Sequence, residues 1–145
     1  MAYEGWLLKI GNWTLPFRYI QDETYKVASN KETLADWTDY DGNRHVVYSP
    51  GAQTELSFST RDTFRLSDED VAIISEALSS ARQDGFGANV DAYSVKFYDP
   101  GTDEYITTKL FTLEPVNYVI ERVTADHVYY SPTTFTFKEV APIEL

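Results

Sequence analysis

The sequence contains no cysteine, so it forms no disulfide, thiolate nucleophile or cysteine-ligated metal site. A fold without disulfides does not depend on an oxidising compartment. The first residues, 1–11, lack a basic start and carry Glu4 early, so we expect neither a signal peptide nor a membrane span there. We therefore expect a protein that is made in the cytoplasm without a signal peptide and leaves a cell only by assembly or lysis.

Basic residues are scarce. Twelve lysines and arginines face 23 acidic residues, which gives a formal net charge of −11 at pH 7. Binding to a nucleic-acid backbone needs a basic face, and no basic run exists here, so we expect no specific nucleic-acid binding. The same charge disfavours an anionic membrane surface. Such a charge keeps a protein soluble, and a sharper interpretation is a surface that repels polyanions.

Candidates for catalysis and metal binding are few. The two histidines, His45 and His127, lie in strand-like runs and share no metal-ligand spacing. No Gly-x-Ser-x-Gly elbow and no phosphate-binding glycine loop occurs. Paired acids such as Asp68 and Asp70 are typical of a helix start rather than of a glycosidase acid and base. We predict a protein that is not an enzyme and has no cofactor and no metal site.

The segment Asp39-Tyr40-Asp41-Gly42-Asn43 resembles part of a calcium-binding loop. Aligning Gly42 with the invariant glycine of an EF-hand places Asp39 and Asp41 at ligand positions. However, the first ligand position is then Trp37, and Tyr48 stands where the bidentate glutamate belongs. We reject the EF-hand and predict an Asx-Gly turn, with weak calcium binding as the alternative.

Aromatic residues are abundant, at 15% of 145 residues, and suit half-buried strands better than helices. Alternating apolar residues predict strands near 25–27, 55–60, 93–97, 105–112 and 135–140, and a continued strand at 118–120 and 128–130. The residue types at Gly11-Asn12 and at 99–102 predict the turns of two hairpins. The predicted fold is mainly β, one domain over 1–145: an antiparallel β-sandwich or open barrel of about eight strands with one flanking helix.

The helix is predicted over about 67–84. Ser67 is a favourable N-cap, and Asp70 three residues later completes a pattern like a capping box. An apolar stripe at helical spacing predicts a helix lying on a sheet. It consists of Val71, Ile74, Leu78 and Ala81. Arg82 is expected in the last turn, with Gly85 and Gly87 ending the helix.

A polar stretch at about 30–43 is predicted to be a long structureless arm between strands. It leads into strand-like runs at 44–49 and 55–60, and if these two runs pair, the arm projects from one end of the β body. Compact domains seldom keep such a loop unless it binds a partner or is disordered. We therefore predict a subunit interface there, with Arg44 anchoring the base of the arm through a carboxylate. Its anchors are Trp37 and Tyr40, and its polar partners are Asp36, Asp39 and Asp41.

The order of several segments carries a family resemblance. An acidic turn at Asp41-Gly42 precedes Arg44, an apolar strand and 54–60; later come 95–99, Tyr105 and a terminal 135–140. This order resembles small structural proteins encoded in tail modules of long-tailed phages and prophages of Gram-positive bacteria. The motifs are diffuse, and the resemblance covers most of the chain.

The resemblance implies a virion structural protein of the tail, in the tail tube or baseplate hub. Such proteins have a β-sandwich with one flanking helix and a long loop, and they assemble as homo-oligomeric rings that contact other tail proteins. It implies no catalytic residues. An acidic lumen would keep passing DNA from sticking to the channel wall.

Two other functions compete with this interpretation. Trp37, Tyr40, Tyr48, Tyr129 and Tyr130 are numerous for one small core, and exposed aromatics also bind sugars. The main alternative is therefore a module that binds a carbohydrate or a host surface. The second is a small β-barrel enzyme or a carrier of a lipophilic ligand, which a polar or apolar cavity would indicate.

Overall fold

The computed structural model describes residues 3–30, 33–48, 53–61, 63, 65–87 and 89–140. Over these residues the protein is mainly β, with one α-helix, α1 (Asp68–Ala81). The strands are β1 (Leu8–Ile10), β2 (Trp13–Thr14), β3 (Lys26–Asn30), β4 (Thr33–Thr38), β5 (Arg44–Tyr48), β6 (Gln53–Ser59), β7 (Arg82–Gln83), β8 (Ala92–Asp99), β9 (Glu104–Ile106), β10 (Leu110–Leu113), β11 (Ile120–Val123), β12 (Val128–Tyr130) and β13 (Thr134–Glu139).

Seven strands form one antiparallel sheet in the order β2-β1-β8-β10-β13-β6-β3, and this sheet curls into a half-barrel. Two short strands, β7 and β9, pair with the two ends of β8. Two further ribbons, β4–β5 and β11–β12, stand outside this sheet. The predicted class, an open β structure with one flanking helix, is confirmed.

One face of each long strand is buried because apolar residues alternate with polar ones. In β6 and β13, Leu56 pairs with Phe137 and Phe58 with Phe135. The Phe58 and Phe135 rings stack with centroids 5.2 Å apart. The alternating burial fixes the register of the two strands, because a one-residue slip of either strand would move its two aromatic or aliphatic side chains to the open face.

The core lies between the curled sheet and α1, and it also takes in the chain that follows β2. Its buried residues are Leu8, Ile10, Leu15, Tyr19, Ile20, Leu56, Phe58, Leu66, Ile74, Ala77, Ala81, Val95, Phe97, Phe111, Phe135 and Phe137.

The predicted start of the helix is confirmed. The Asp70 amide donates to Ser67 Oγ (3.3 Å), and the Ser67 amide donates to Asp70 Oδ2 (3.0 Å), which completes a capping box. The predicted end near residue 84 is wrong. The helix stops at Ala81, because Arg82 leaves it in an extended conformation and pairs with Tyr93 as part of β7. Gly85 and Gly87 therefore lie beyond the helix end.

The first predicted hairpin is also confirmed, with Ile10 opposite Trp13 across Gly11-Asn12. Gly11 has φ +61°, and a Cβ at this position would lie 3.1 Å from the Ala81 Cβ. The turn therefore needs glycine both for its backbone conformation and for its close approach to α1.

The segment 105–112 was predicted as one strand, but it contains two. Ile106 pairs with Phe97, whereas Leu110 pairs with Ser94, so the two registers on β8 differ by one residue. The chain leaves the ladder between them, and Lys109 there contacts Glu139 (Nζ to Oε1, 3.1 Å) instead.

The predicted continued strand at 118–120 and 128–130 is likewise wrong, because the two parts pair with each other. Ile120 lies opposite Tyr130, and Val123 opposite Val128. We call residues 118–130, which contain β11 and β12, the ribbon. Asp68 fixes the ribbon to the start of α1 by accepting from the Val128 amide (3.3 Å).

In the parts of the chain described above, no helix combines the length and the apolar character needed to cross a membrane.

Candidate functional site

The predicted structureless arm is an ordered β-hairpin. β4 pairs with β5, with Trp37 opposite His45 and Thr38 opposite Arg44. The runs near 44–49 and 55–60 do not pair with each other, because β6 lies between β3 and β13. We call residues 33–48 the arm hairpin. Residues 31–32 of the predicted arm and residue 49 of the predicted strand-like run, together with 50–52, lie outside the described residues.

The tip of the arm hairpin is built by Asp39. Its amide donates to the Asn43 carbonyl (2.9 Å), and its carbonyl accepts from the Gly42 amide (3.1 Å). Gly42 has φ +84°, as expected for the bulge glycine after a type I turn. Asp39 Oδ1 also accepts from the amides of Asp41 and Asn43, at 2.9 Å each. The predicted Asx-Gly turn is confirmed.

Trp37 and His45 form the aromatic face of the arm hairpin. Their rings stack with centroids 5.3 Å apart at 25°. His45 Nε2 lies 2.7 Å from Asp39 Oδ2, and this contact, followed by the backbone donors of the turn, lowers the pKa of Asp39. The same carboxylate thus holds both the turn and the ring on which Trp37 stacks.

The opposite face of the arm hairpin carries a two-point ion pair. Arg44 donates from Nε to Asp36 Oδ1 (3.0 Å) and from Nη2 to Oδ2 (2.8 Å). This pairing lowers the pKa of Asp36 and raises that of Arg44. Arg44 does bind a carboxylate, as predicted, but next to the turn at Thr38 rather than at the base of the arm. Asp36 and Asp39 are therefore engaged within the hairpin itself.

The arm hairpin is exposed on both faces. Five of its large apolar and aromatic residues have exposed fractions of 44% or more, and the Tyr40 side chain at the tip is completely exposed; they are Leu34, Trp37, Tyr40, Val47 and Tyr48. Val46 is half-buried. A two-stranded hairpin alone is at most marginally stable in water. Large apolar side chains exposed on such a hairpin make it the candidate functional site.

Sequence reasoning missed a second exposed apolar surface, on the ribbon. Its side chains are Tyr118, Val119, Ile120 and Val123, and all four residues of β11 are exposed. The unbroken run Tyr118-Val119-Ile120 was the available signal, because a half-buried strand would alternate.

The open face of the main sheet is not acidic. Its side chains alternate with the buried set, and they include four lysines but only two glutamates: Lys9, Lys26, Lys96 and Lys138 against Glu55 and Glu114. Many of the other described acids lie in loops, at the start of α1 and at the arm tip. The sheet therefore gives no support to the expectation of an acidic channel wall.

Each histidine has one nearby aspartate: His45 with Asp39, and His127 with Asp68 (Nδ1 to Oδ1, 3.1 Å). The described residues hold no group of three side chains suited to a metal. A cleft of about 510 Å³ between α1 and the β1–β2 turn is lined by one carboxylate, Glu76.

Replacing Asp39 with alanine is expected to disorder the tip and leave the sheet intact, because this carboxylate holds the turn amides and His45. Amide exchange measured by NMR should become faster at Asp41 and Asn43, while the unfolding free energy changes by less than about 0.5 kcal/mol. Asp126→Ala in the ribbon turn is the control. Unchanged exchange at both amides would contradict this role for Asp39.

Two chains of solved structures match this fold. One belongs to the tail of an empty GTA (gene transfer agent) particle, computed with helical refinement and C6 symmetry. The match covers 99% of this chain and 98% of that one, with a TM-score of 0.55 and 13% identity. This chain therefore shares its fold with a chain from the tail of a phage-like particle.

The chain belongs to the family of unknown function DUF6711, whose model matches residues 1–140. No curated protein matches the sequence.

Proposed function

We propose that the protein is a structural component of a phage-like virion tail, forming rings in the tube or baseplate through its arm hairpin and sheet edges. The observation that carries the proposal is the arm hairpin, which projects from the sheet with five large apolar or aromatic side chains exposed. The fold shared with a chain of a C6-symmetric tail supports it, because a cyclic assembly is built from repeated identical contacts.

Sheet edges supply the second part of the proposal. Within the described residues the main sheet ends at β2, which has two residues, and at β3, which has five. An edge strand presents unpaired backbone groups, which natural proteins cover or blunt. Contact with another copy would cover the longer edge, β3.

The finer features of the proposal follow from the family resemblance. The tail would be that of a long-tailed phage or prophage of a Gram-positive host, and the partners would be further copies and other tail proteins. DNA would pass through the lumen without specific contacts. No catalytic role is proposed.

Sedimentation velocity over a wide concentration range, with electron microscopy of the same samples, tests this function. We expect masses that rise to multiples of the 16.6 kDa chain and images of rings or stacked rings. A protein that stays monomeric at every concentration with an ordered arm hairpin would contradict self-assembly. Glycan binding by that monomer, lost in Trp37→Ala, would instead support the carbohydrate-binding alternative.

A further inference from the structure

We propose that the arm hairpin of one copy binds the ribbon of the next copy, so that the subunits join head to tail. The inference rests on the proposed assembly and names the surface that the arm hairpin contacts. It follows from where the two surfaces lie, from their exposed apolar side chains and from an unpaired charge of opposite sign on each.

The two surfaces lie at opposite ends of β6. At one end Gln53 pairs with Asn30, beside the arm hairpin. At the other end Ser59 pairs with Thr134, just after the ribbon. The seven residues of β6 span about 20 Å at strand rise. Because the two surfaces are separated in this way, contact between them joins different copies.

Most exposed large hydrophobic side chains of the described residues belong to these surfaces. Of the twelve such residues, five lie on the arm hairpin and four on the ribbon. A two-fold contact uses one patch that is complementary to itself, whereas a heterologous contact uses two different patches. Two separate apolar patches on one chain therefore favour head-to-tail contact, which closes into a ring when the rotation allows it.

Both surfaces are net acidic, because the arm hairpin holds three aspartates against Arg44 and the ribbon holds Glu121 and Asp126 against Arg122. Electrostatic attraction between them therefore has to come from individual unpaired charges of opposite sign. Arg44 pairs with Asp36, and Arg65 pairs with Glu121 (Nε to Oε2, 2.8 Å). Asp41, beside Tyr40 at the tip, has no ion pair within the described residues, and neither does Arg122 on the ribbon.

Arg122 is nevertheless held in place, because its guanidinium lies 4.6 Å from the Tyr129 ring centroid. An exposed Arg122 on the ribbon therefore matches an exposed Asp41 on the arm hairpin. We assign these two residues to each other across the contact.

Disulfide cross-linking tests the contact, and the natural absence of cysteine removes any background. Tyr40→Cys and Val123→Cys are prepared separately, mixed under assembly conditions and oxidised. We expect a covalent dimer in the mixture that neither variant forms alone. Tyr40→Cys mixed with Ile73→Cys is the control, because Ile73 is exposed on α1, outside both patches.

Three results would overturn the assignment: Tyr40→Cys linking to itself, linking equally to Ile73→Cys, or failing to link in assembled material. In each of these three cases the protein still assembles, so only the proposed contact between arm hairpin and ribbon is refuted. A mixture that never assembles would overturn the proposed function as well.

Charge reversal tests the pairing of Asp41 with Arg122. Asp41→Arg and Arg122→Asp should each raise the apparent dissociation constant of assembly at least about tenfold, because like charges then meet across the contact. The double variant should return to within about twofold of the natural protein. Unchanged thermal unfolding of each variant shows that the fold is intact. Failure of the double variant to recover assembly would rule out this pair.

Discussion

Removal of the arm hairpin is expected to leave a folded monomer that no longer assembles. Residues 31–52 are deleted, and an Asn-Gly turn joins Asn30 to Gln53. These two residues already lie opposite each other in the β3–β6 ladder, so a two-residue turn closes the hairpin. No buried core residue lies in the deleted segment that the structure describes.

The readout is sedimentation velocity at concentrations where the full chain assembles, together with thermal unfolding. Ile73→Ser is the matched control, because it removes an exposed apolar side chain that belongs to neither patch. We expect this control to assemble and the deletion variant to remain monomeric. Rings formed by the deletion variant would show that sheet edges alone hold the subunits together.

The second large effect is expected in the core. Phe97→Ala should lower the free energy of unfolding by about 3–5 kcal/mol, as is typical of a buried phenylalanine. Phe97 is fully buried at the centre of the sheet, where β8 pairs with β1 and β9, and its ring meets Phe111 edge-on at 5.8 Å. The loss is a large part of the about 5–15 kcal/mol that stabilises most domains. Urea unfolding followed by circular dichroism measures it.

Phe17→Ala provides the comparison for this measurement, because 44% of Phe17 is exposed in the short 3-10 helix after β2. Its expected loss is below about 1 kcal/mol. Equal losses in the two variants would contradict the placement of Phe97 at the centre of the core. A flat unfolding curve for Phe97→Ala at all urea concentrations would mean that the protein is already unfolded, which is the extreme form of the expected result.

Features set by neighbouring residues could be predicted from the sequence. The capping box at Ser67 and Asp70 depends on two side chains three residues apart. The β1–β2 turn depends on Gly11, whose backbone conformation other residues avoid. Strands with one buried face, such as β6 and β13, can be predicted because apolar and polar residues alternate along them. In each case the information lies within a few positions of the feature itself.

Features set by distant partners could not be predicted. The run at 44–48 is strand-like, but its residue pattern does not determine which strand it pairs with. It pairs with β4 and not with β6, because β6 already lies between β3 and β13. Arg82 has good helix propensity, yet it belongs to β7 because it pairs with Tyr93 of β8 in the sheet. Tertiary context overrode the local preference in both places.

The candidate site divides in the same way. The sequence singled out a segment in which Trp37 and Tyr40 are exposed. The interface role of this segment stays a prediction for all six of its residues: Asp36, Trp37, Asp39, Tyr40, Asp41 and Arg44. The sequence did not reveal that Asp36 binds Arg44 or that Asp39 holds His45, because those contacts require the β4–β5 register. Nor did it reveal the ribbon as a second surface.

By itself the sequence determined a cysteine-free, acidic chain with a β body, a capped helix and a projecting segment rich in aromatic residues. Only the tertiary structure decided that this segment is a hairpin, and that it and the ribbon lie at opposite ends of β6. The physical reason is that alternation and turn chemistry act over a few residues, whereas strand partners are chosen by which faces can be buried together.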